Sequence, residues 1–131
     1  MQEQRIKEII HADFIVYTMP DTLEHKKRDG RMNAHKFCYW GLKNYPSRLS
    51  ELEDNDFEFD DVRIYFATKG FIRGYFVLRD VGHINHDSNE VTWYSESWKD
   101  IPPIPIKHFQ GFKYADTVKE LIEVMPNSSQ D

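Results

Sequence analysis

The stretch VRIYFATKGFIRGYFVLRDV, from Val62 to Val81, decides the fold that we predict for this chain. Two runs rich in β-branched and aromatic residues, Val62–Ala67 and Phe71–Val81, flank a short Thr-Lys-Gly segment. This composition and spacing predict a β-hairpin. Gly74 interrupts the second run, and a glycine inside a strand is typical of a bulge, a barrel corner or a close approach by another group. We therefore expect a curved sheet that forms a small barrel.

The alternation of side chains along the hairpin assigns its two faces, because successive residues of a strand point to opposite sides. One face is predicted to belong to the core and carries Val62, Ile64, Phe66, Ile72, Phe76 and Leu78. The other is predicted to be amphipathic and carries Arg63, Tyr65, Arg73, Tyr75 and Arg79.

Further strands and an edge segment can be assigned along the chain. Asp13–Met19 and Glu90–Trp98 have the composition of strands, and the second of these should continue the hairpin as a meander. The proline-rich Lys99–Phe112 is predicted to be extended or to lie on a sheet edge, where missing N–H donors are tolerated. Together with Val62–Thr68 and Phe71–Val81, these segments predict an α+β fold built on a small, mixed, strongly bent β-barrel with flanking helices.

Helices are predicted at the two ends of the chain and in its first half. Gln2–Ile10 has isoleucines at helical spacing, and Pro46–Glu51 is predicted to form a short helical turn. The basic segment Thr22–Arg31 is predicted to be partly helical or an ordered loop, and Ala34–Leu42 to carry a strand end into a turn. The C-terminal helix is predicted to be capped by Asp116, and its apolar positions are Val118, Leu121, Ile122 and Met125.

The length and composition fit one domain over residues 1–131, with its core in residues 12–125 and a short disordered C-terminal tail. No apolar run approaches the roughly 20 residues of a helix that spans a bilayer. The N-terminal segment also lacks the apolar region and cleavage site of a signal peptide. We therefore expect a cytoplasmic protein without a membrane partner.

The net charge of −5 conceals an asymmetry. Between His25 and Arg48 the chain has seven basic residues and one acidic residue, a net charge of +6, whereas the remainder carries −11. Charge runs of this kind are more often solvated surface than binding sites, but the aromatic residues that interleave with these basic residues raise the odds of a contact surface for nucleic acid.

Residues Gly41–Arg48, GLKNYPSR, fit the pattern G-x-K-x-x-x-x-R. They are followed by an acidic stretch, the hairpin strands VRIYF and GYFVLRDV, and a closing IPPIPIKHFQGF after Trp98. In this order of elements, over roughly residues 12–125, the chain resembles the PUA-like superfamily and, within it, the ASCH domains. The resemblance implies a small barrel with flanking helices that holds RNA or a single nucleotide in a cleft. Some ASCH proteins are hydrolases that act on modified cytidines or RNA.

The resemblance places Lys43 and Arg48 in the cleft, where an Arg fork and a Lys charge can hold a phosphate or a base carbonyl. Aromatic side chains supply stacking surfaces. The comparable hydrolases use a Lys with a nearby Thr and a Glu, whereas Pro46 stands three residues after Lys43, so Lys43 is a catalytic candidate only if the protein is an enzyme. The predicted ligand-binding residues are Trp40, Lys43, Arg48, Lys69, Arg73, Trp98 and His108.

We therefore predict a module that binds RNA or a modified nucleotide in a basic cleft lined by aromatic residues. The alternatives are a small hydrolase acting on a modified nucleoside and a protein-interaction accessory domain. No cofactor is predicted, because the sequence contains no dinucleotide, P-loop, nucleophile-elbow or zinc-finger motif. No metal is predicted either, because the two histidines in His83–Asp87 lie in a predicted turn without a second ligand cluster.

Overall fold

The computed structural model describes residues 12–44, 46–54, 62–78, 90–116 and 118. The fold is mixed and rich in sheet, which confirms the predicted α+β class. In chain order the elements are β1 (Phe14–Tyr17), α1 (Pro20–Arg28), a 3₁₀ turn (Asp29–Arg31), α2 (Ala34–Phe37), β2 (Tyr39–Gly41), α3 (Ser47–Asp54), β3 (Arg63–Thr68), β4 (Phe71–Val77), β5 (Glu90–Thr92), β6 (Lys99–Pro105) and β7 (Phe112–Tyr114).

The strands of the described residues form two sheets. Five of them form a sheet in the order β6-β4-β3-β1-β7, and β2 pairs with β5 in a second sheet. β1 runs parallel to β3, whereas the other pairs are antiparallel. Within the described part of the chain the outer strands β6 and β7 do not pair with each other, so these sheets do not close into a barrel. Barrel closure stays a prediction.

The central hairpin is confirmed: β3 and β4 pair on either side of a turn at Lys69 and Gly70. The first strand is also confirmed, because β1 lies within the predicted Asp13–Met19. β6 lies at the sheet edge, as its prolines predict. Residues 79–81, at the end of the predicted second hairpin strand, lie outside the described residues.

The five-stranded sheet buries side chains on both of its faces. The first core cluster contains Ile64, Phe66 and Phe76, and the second contains Tyr65 and Tyr75. Tyr65 is fully buried, and burial raises the pKa of its hydroxyl. The predicted core face is confirmed for these three residues of the first cluster. The predicted amphipathic face keeps half-exposed Arg63 and Arg73, but its tyrosines are more buried than expected, because they pack into a second core.

A register shift beside Gly74 changes the face to which Ile72 belongs. The pairing of β4 with β6 is irregular between Ile72 and Gly74, and the pairing of β3 with β4 is irregular between Phe66 and Ala67. An inserted residue rotates the side chains that follow it to the opposite face. Ile72 consequently packs in the second cluster, so its predicted grouping with Phe76 and Leu78 is wrong.

Gly74 also permits a close approach by the segment that leads into β6. A Cβ placed on Gly74 would lie 2.4 Å from the carbonyl oxygen of Lys99 and 2.4 Å from Cζ2 of Trp98. The Trp98 ring thus occupies the space that a side chain on β4 would fill. The sequence-based prediction of a bulge or close approach at this glycine is confirmed.

The predicted strand Glu90–Trp98 is wrong in its second half. β5 ends at Thr92, and the chain turns between Tyr94 and Ser97, where the backbone N–H and the hydroxyl of Ser97 both donate to the carbonyl of Tyr94. β5 pairs with β2, and it contacts the hairpin through an isolated bridge between Leu78 and Trp93. The predicted meander is therefore wrong, because the neighbour of β4 in the sheet is β6.

The basic segment between β1 and β2 is largely helical. α1 begins with Pro20 and carries Asp21 in its first turn and basic residues in its last turn, a distribution that complements the helix dipole. α2 replaces the first half of the predicted strand end at Ala34–Leu42, and β2 follows it. The helical turn predicted at Pro46–Glu51 is confirmed by α3.

Lys26 attaches α1 to β2 through a buried ammonium group. Its Nζ donates to the carbonyl oxygens of Tyr39 at 2.7 Å and Phe37 at 3.2 Å, and it lies 4.6 Å from the centroid of the Tyr39 ring. The side chains of Trp40 and Trp93 place their rings within 5.5 Å of the same nitrogen. Burial lowers the pKa of Lys26, and the nearby Cys38 opposes this shift.

Several predicted features lie outside the described residues: the helix at Gln2–Ile10, the turn at His83–Asp87, the C-terminal helix beyond Val118 and the C-terminal tail. Val118 itself is helical and is buried in the second cluster. None of the helices in the described ranges is long and apolar enough to cross a membrane.

We expect Gly74→Ala to destabilise the protein by about 1 to 3 kcal/mol, because the added methyl overlaps both the Lys99 backbone and the Trp98 ring. The matched control is Gly41→Ala, since a Cβ at Gly41 meets nothing within 4 Å. Urea denaturation of both variants measures the difference. Equal stability of the two variants would contradict the proposed close packing.

Lys26 should give the free energy of unfolding a dependence on alkaline pH. Because its native pKa is lowered from 10.5, the unfolded chain binds more protons than the native chain between the native value and 10.5. Stability should therefore rise with pH across this window in the wild type relative to Lys26→Met. Denaturation series at matched pH values give the difference between the two proteins, and a difference that does not change with pH would contradict the lowered pKa.

Candidate functional site

A cavity of about 380 Å³ lies where α1 meets the β3–β4 turn and β6. We call it the cleft, and its lining is made of Pro20, Leu23, Glu24, Lys27, Thr68, Lys69, Arg73, Asp100, Ile101 and Pro103. This volume falls in the range of small-molecule sites, which is about 300 to 1,000 Å³. The lining joins an apolar wall to charged side chains, so the cleft suits a ligand that has both characters.

The cleft carries three cationic side chains and two carboxylates. Lys27 lies 3.5 Å from Glu24, and Asp100 accepts a hydrogen bond of 2.8 Å from Nε1 of Trp98. The ion pairs found among the described residues involve neither Lys69 nor Arg73. Two cations of the cleft are thus without an ion-pair partner in the described part of the chain, and they favour an anionic ligand.

Lys69 holds a backbone conformation that is uncommon for a residue with a side chain. Its φ is +52°, and Gly70 follows with a φ of +84°. A left-handed conformation is unfavourable by about 1 to 2 kcal/mol for an L-residue other than glycine. The turn is held by hydrogen bonds from the Gly70 N–H to the Tyr17 hydroxyl and from the Ile106 N–H to the Gly70 carbonyl. Positive φ at both central residues is the requirement of a two-residue type I′ hairpin turn, so the turn itself accounts for this conformation and fixes the point at which the Lys69 side chain leaves the backbone.

Trp98 lies beside the cleft in a fixed orientation. Its ring fills the gap at Gly74, packs 5.0 Å from the Phe76 ring centroid and is anchored by its hydrogen bond to Asp100. The ammonium of Lys27 lies 4.9 Å from the Trp98 ring centroid, within the range of a cation–π contact. Lys27 and Asp100 therefore connect this ring to the cleft.

Thr68, at the end of β3, is a polar residue of the lining. The residue is 6% exposed, and its hydroxyl has no hydrogen-bond partner in the described part of the structure. Buried polar groups of proteins are nearly always hydrogen-bonded, and the exceptions concentrate where a ligand, an ion or strain explains them. Because this hydroxyl oxygen has almost no accessible surface, Thr68 contributes to the lining of the cleft through its other atoms.

The structure brings together three of the seven predicted site residues. Lys69 and Arg73 line the cleft, and Trp98 lies next to it through Lys27 and Asp100. These are the residues of the hairpin end and of the segment before β6. Whether they bind a ligand stays a prediction.

Arg48 lies in a different part of the molecule. Its guanidinium stacks 3.9 Å from the centroid of the Tyr114 ring on β7 and forms an ion pair with Asp116. Tyr114 is in register with Phe14 at the start of β1, and Phe14 is in register with Ile64. Lys69 follows Ile64 by five residues, roughly 17 Å along the strand. Arg48 is therefore at the opposite end of the sheet from the cleft.

Lys43, Trp40 and His108 also lie outside the lining of the cleft. Lys43 is exposed in the bend after β2, and Trp40 packs edge-on against Phe66 in the first core cluster. The His108 ring contacts Tyr17, whose side chain packs on the second cluster, so His108 is on the other face of the sheet from α1. The predicted convergence of the Gly41–Arg48 turn and the hairpin end on one concavity is wrong.

The sequence-based site missed four polar residues of the cleft: Glu24, Lys27, Thr68 and Asp100. Lys27 belongs to the basic stretch between His25 and Arg48. Its neighbour Lys26 differs from it, because Lys26 is buried and Lys27 faces the cleft. The helical period from Leu23 could not have separated the two lysines, since it places positions 26 and 27 on the same face as position 23. Nothing in the sequence indicates that β6 brings Asp100 to the same place.

A metal centre has no support in the described ranges, where no three of the His, Cys, Asp and Glu residues are grouped closely enough to hold an ion. The turn at His83–Asp87 is not among these residues.

Arg48 should contribute to stability rather than to binding in the cleft. We expect Arg48→Gln to lower the free energy of unfolding by roughly 1 kcal/mol through loss of the Asp116 ion pair and the Tyr114 stack. The affinity for any ligand that the wild-type cleft binds, measured by calorimetry, should stay within twofold of the wild-type value. Lys113→Gln is the matched control, because Lys113 lies on the same strand as Tyr114 and is exposed. A large loss of affinity in the Arg48 variant at unchanged stability would contradict this prediction and would show that Arg48 contributes to ligand binding.

Comparisons of the chain with family models, with curated proteins and with solved structures gave no match. The resemblance to PUA-like and ASCH domains therefore stays a prediction.

Proposed function

We propose that this protein binds RNA or a modified nucleotide and that the cleft between α1, the β3–β4 turn and β6 holds one nucleotide unit. The observation that carries this proposal is the presence of Lys69 and Arg73, two cations without an ion-pair partner in the described part of the chain, beside an apolar wall and an oriented tryptophan. A nucleotide carries an anionic phosphate and an aromatic base joined by its sugar, and the lining of the cleft contains cations for the first and apolar side chains for the second.

Lys69 and Arg73 form the phosphate side of the proposed site. Arg offers a planar fork of donors that matches phosphate geometry, and Lys adds a compact charge. The Arg73 guanidinium lies 4.9 Å from the centroid of the Phe71 ring. This aromatic side chain helps to hold the guanidinium in position and leaves its positive charge unneutralised. The turn already fixes the backbone at Lys69, so the backbone loses little conformational freedom when a phosphate binds.

Pro20, Leu23, Ile101 and Trp98 form the base side of the proposed site. The first three line the cleft with apolar surface, and Trp98 lies behind Lys27. Stacking of a base on an aromatic ring contributes about 1 to 3 kcal/mol and tolerates any base. This side of the cleft therefore favours a nucleobase without selecting one sequence.

The ligand should be short or locally presented. The chain has a net charge of −5, and two carboxylates stand in the cleft itself. A long phosphate backbone would meet repulsion over most of this surface, because affinity for a duplex rests on many simultaneous phosphate contacts. A single nucleotide or one unstacked base in a strand avoids that repulsion.

The PUA-like or ASCH assignment, and a closed barrel as its architecture, belong to the same proposal. Two register shifts around Gly74 support a curved sheet, because bulges bend the strand that carries them. The hydrolase alternative has less support, since Lys43 does not line the cleft. Release of free cytidine from a panel of modified cytidines, abolished by Lys43→Ala, would favour the hydrolase instead.

Exchange of both cations of the phosphate side tests the proposal. We expect Lys69→Met with Arg73→Met to weaken binding of single-stranded RNA for every sequence tested and to reduce the slope of log affinity against log salt by about 1 to 2. The reason is that each lost phosphate contact removes counterion release. Fluorescence anisotropy with labelled oligonucleotides at several salt concentrations measures both quantities.

The matched control for this experiment is Arg31→Met with Lys36→Met, which removes the same number of charges from exposed positions outside the cleft. Affinity should change little in the control. An equal loss of RNA affinity in the two double variants would show that net charge alone is responsible. The proposal that RNA binds in the cleft would then be wrong. Recovery of a protein partner without RNA would favour the interaction-domain alternative.

A further inference from the structure

Lys27 stands between the cleft and the ring of Trp98. Its side chain lines the cleft, whereas Trp98 is not among the described residues that line it, and its ammonium lies 4.9 Å from the Trp98 ring centroid. Lys27 also lies 3.5 Å from the carboxylate of Glu24, a longer distance than a strong charged hydrogen bond has. A base that enters the cleft thus meets Lys27 before it reaches the ring.

Other contacts hold the Trp98 ring at its edges and against the core. Gly74 accommodates the edge of the ring, Phe76 packs against it, and Asp100 accepts the hydrogen bond of its Nε1–H. The ring is therefore held in place, and Lys27 is the lining residue of the cleft that lies over it. Stacking at Trp98 requires Lys27 to move while the tryptophan stays.

We propose that Lys27 couples the two halves of the site, so that the cleft takes ligands carrying an anionic phosphate and an aromatic base together and discriminates against either group alone. This inference rests on the proposed function. A phosphate held by Lys69 and Arg73 attracts the Lys27 ammonium away from Glu24 and Trp98, and the same movement uncovers the ring for the base.

The contacts that hold the Lys27 ammonium over the ring are weak enough for a bound phosphate to replace them. The Glu24 carboxylate is 61% exposed, and an exposed pair of this kind contributes little to stability. The flexible four-carbon stem of a lysine allows its ammonium to change partners without movement of the helix backbone. A nucleoside without phosphate must displace Lys27 and offers it no anion, whereas free phosphate offers an anion but no ring to stack.

Titrations with inorganic phosphate, adenosine and adenosine 5′-monophosphate test this coupling in the wild type and in Lys27→Ala. Alanine is a strong helix former, so the substitution suits α1. We expect adenosine to bind about two- to fivefold more tightly to the variant, because the cation–π contact no longer covers the ring. The ratio of the monophosphate affinity to the adenosine affinity should fall by at least about tenfold, because the Lys27–phosphate contact is lost.

Lys36→Ala is the matched control for the titrations, since Lys36 is an exposed lysine on α2 and lies 5.5 Å from the centroid of its own aromatic neighbour, Phe37. This control should leave both affinities and their ratio unchanged. A second readout is tryptophan fluorescence: the monophosphate should quench the wild type, and Trp98→Phe should remove the quenching while Trp40 and Trp93 remain.

The outcomes separate the inference from the proposed function. If the wild type binds the monophosphate through Lys69 and Arg73 but Lys27→Ala leaves the affinity ratio unchanged, the coupling is overturned and the binding function stands. Weaker adenosine binding by Lys27→Ala would also overturn it, because Lys27 would then support the base rather than cover its ring. Failure of the wild type to bind any nucleotide or oligonucleotide would overturn both the coupling and the proposed binding function.

Discussion

The missing side chain of Gly74 is the constraint on which the edge of the sheet and the cleft both depend. The Lys99 carbonyl and the Trp98 ring occupy the space where a Cβ would stand. This contact sets how closely β6 approaches β4 and coincides with the register shift between them. The same contact orients Trp98 and, through its hydrogen bond, the Asp100 carboxylate. A single small residue in a strand thus positions two groups of the candidate site.

The buried ammonium of Lys26 has a comparable effect on α1. A buried charge is unfavourable unless it is fully hydrogen-bonded, and here two carbonyl oxygens and the surrounding rings compensate for the loss of water. Because these partners belong to the segment around β2, the interaction fixes the rotation of the helix about its axis. Leu23 packs in the first core cluster, while Lys27, the residue after Lys26, lines the cleft.

The local pattern of the sequence was sufficient for the hairpin, for the edge position of the prolines and for the meaning of Gly74. It was insufficient for the faces of the hairpin, because one inserted residue near Gly74 moves Ile72 to the second core, and alternation cannot show where the insertion lies. The local pattern also did not predict the position of the G-x-K-x-x-x-x-R segment relative to the cleft. The position of Arg48 depends on β7 pairing with β1 at one edge of the sheet while β6 occupies the other, and strand order arises from long-range contacts that spacing does not encode.

The distribution of charge along the sequence also does not predict the distribution of charge on the folded surface. The segment of net charge +6 does not act as one surface, because Lys26 is buried against carbonyls, Arg28 and His25 are bound to Asp29, and Arg48 is paired with Asp116. The positive charge of the cleft comes instead from residues distant in sequence, one on α1 and two at the hairpin end. Two carboxylates among these cations keep the local charge low, so attraction at long range is weak and recognition must depend on contacts at short range. In the proposed function, selectivity comes from the geometry of Lys69, Arg73 and Trp98, and a charge count along the chain does not contain that geometry.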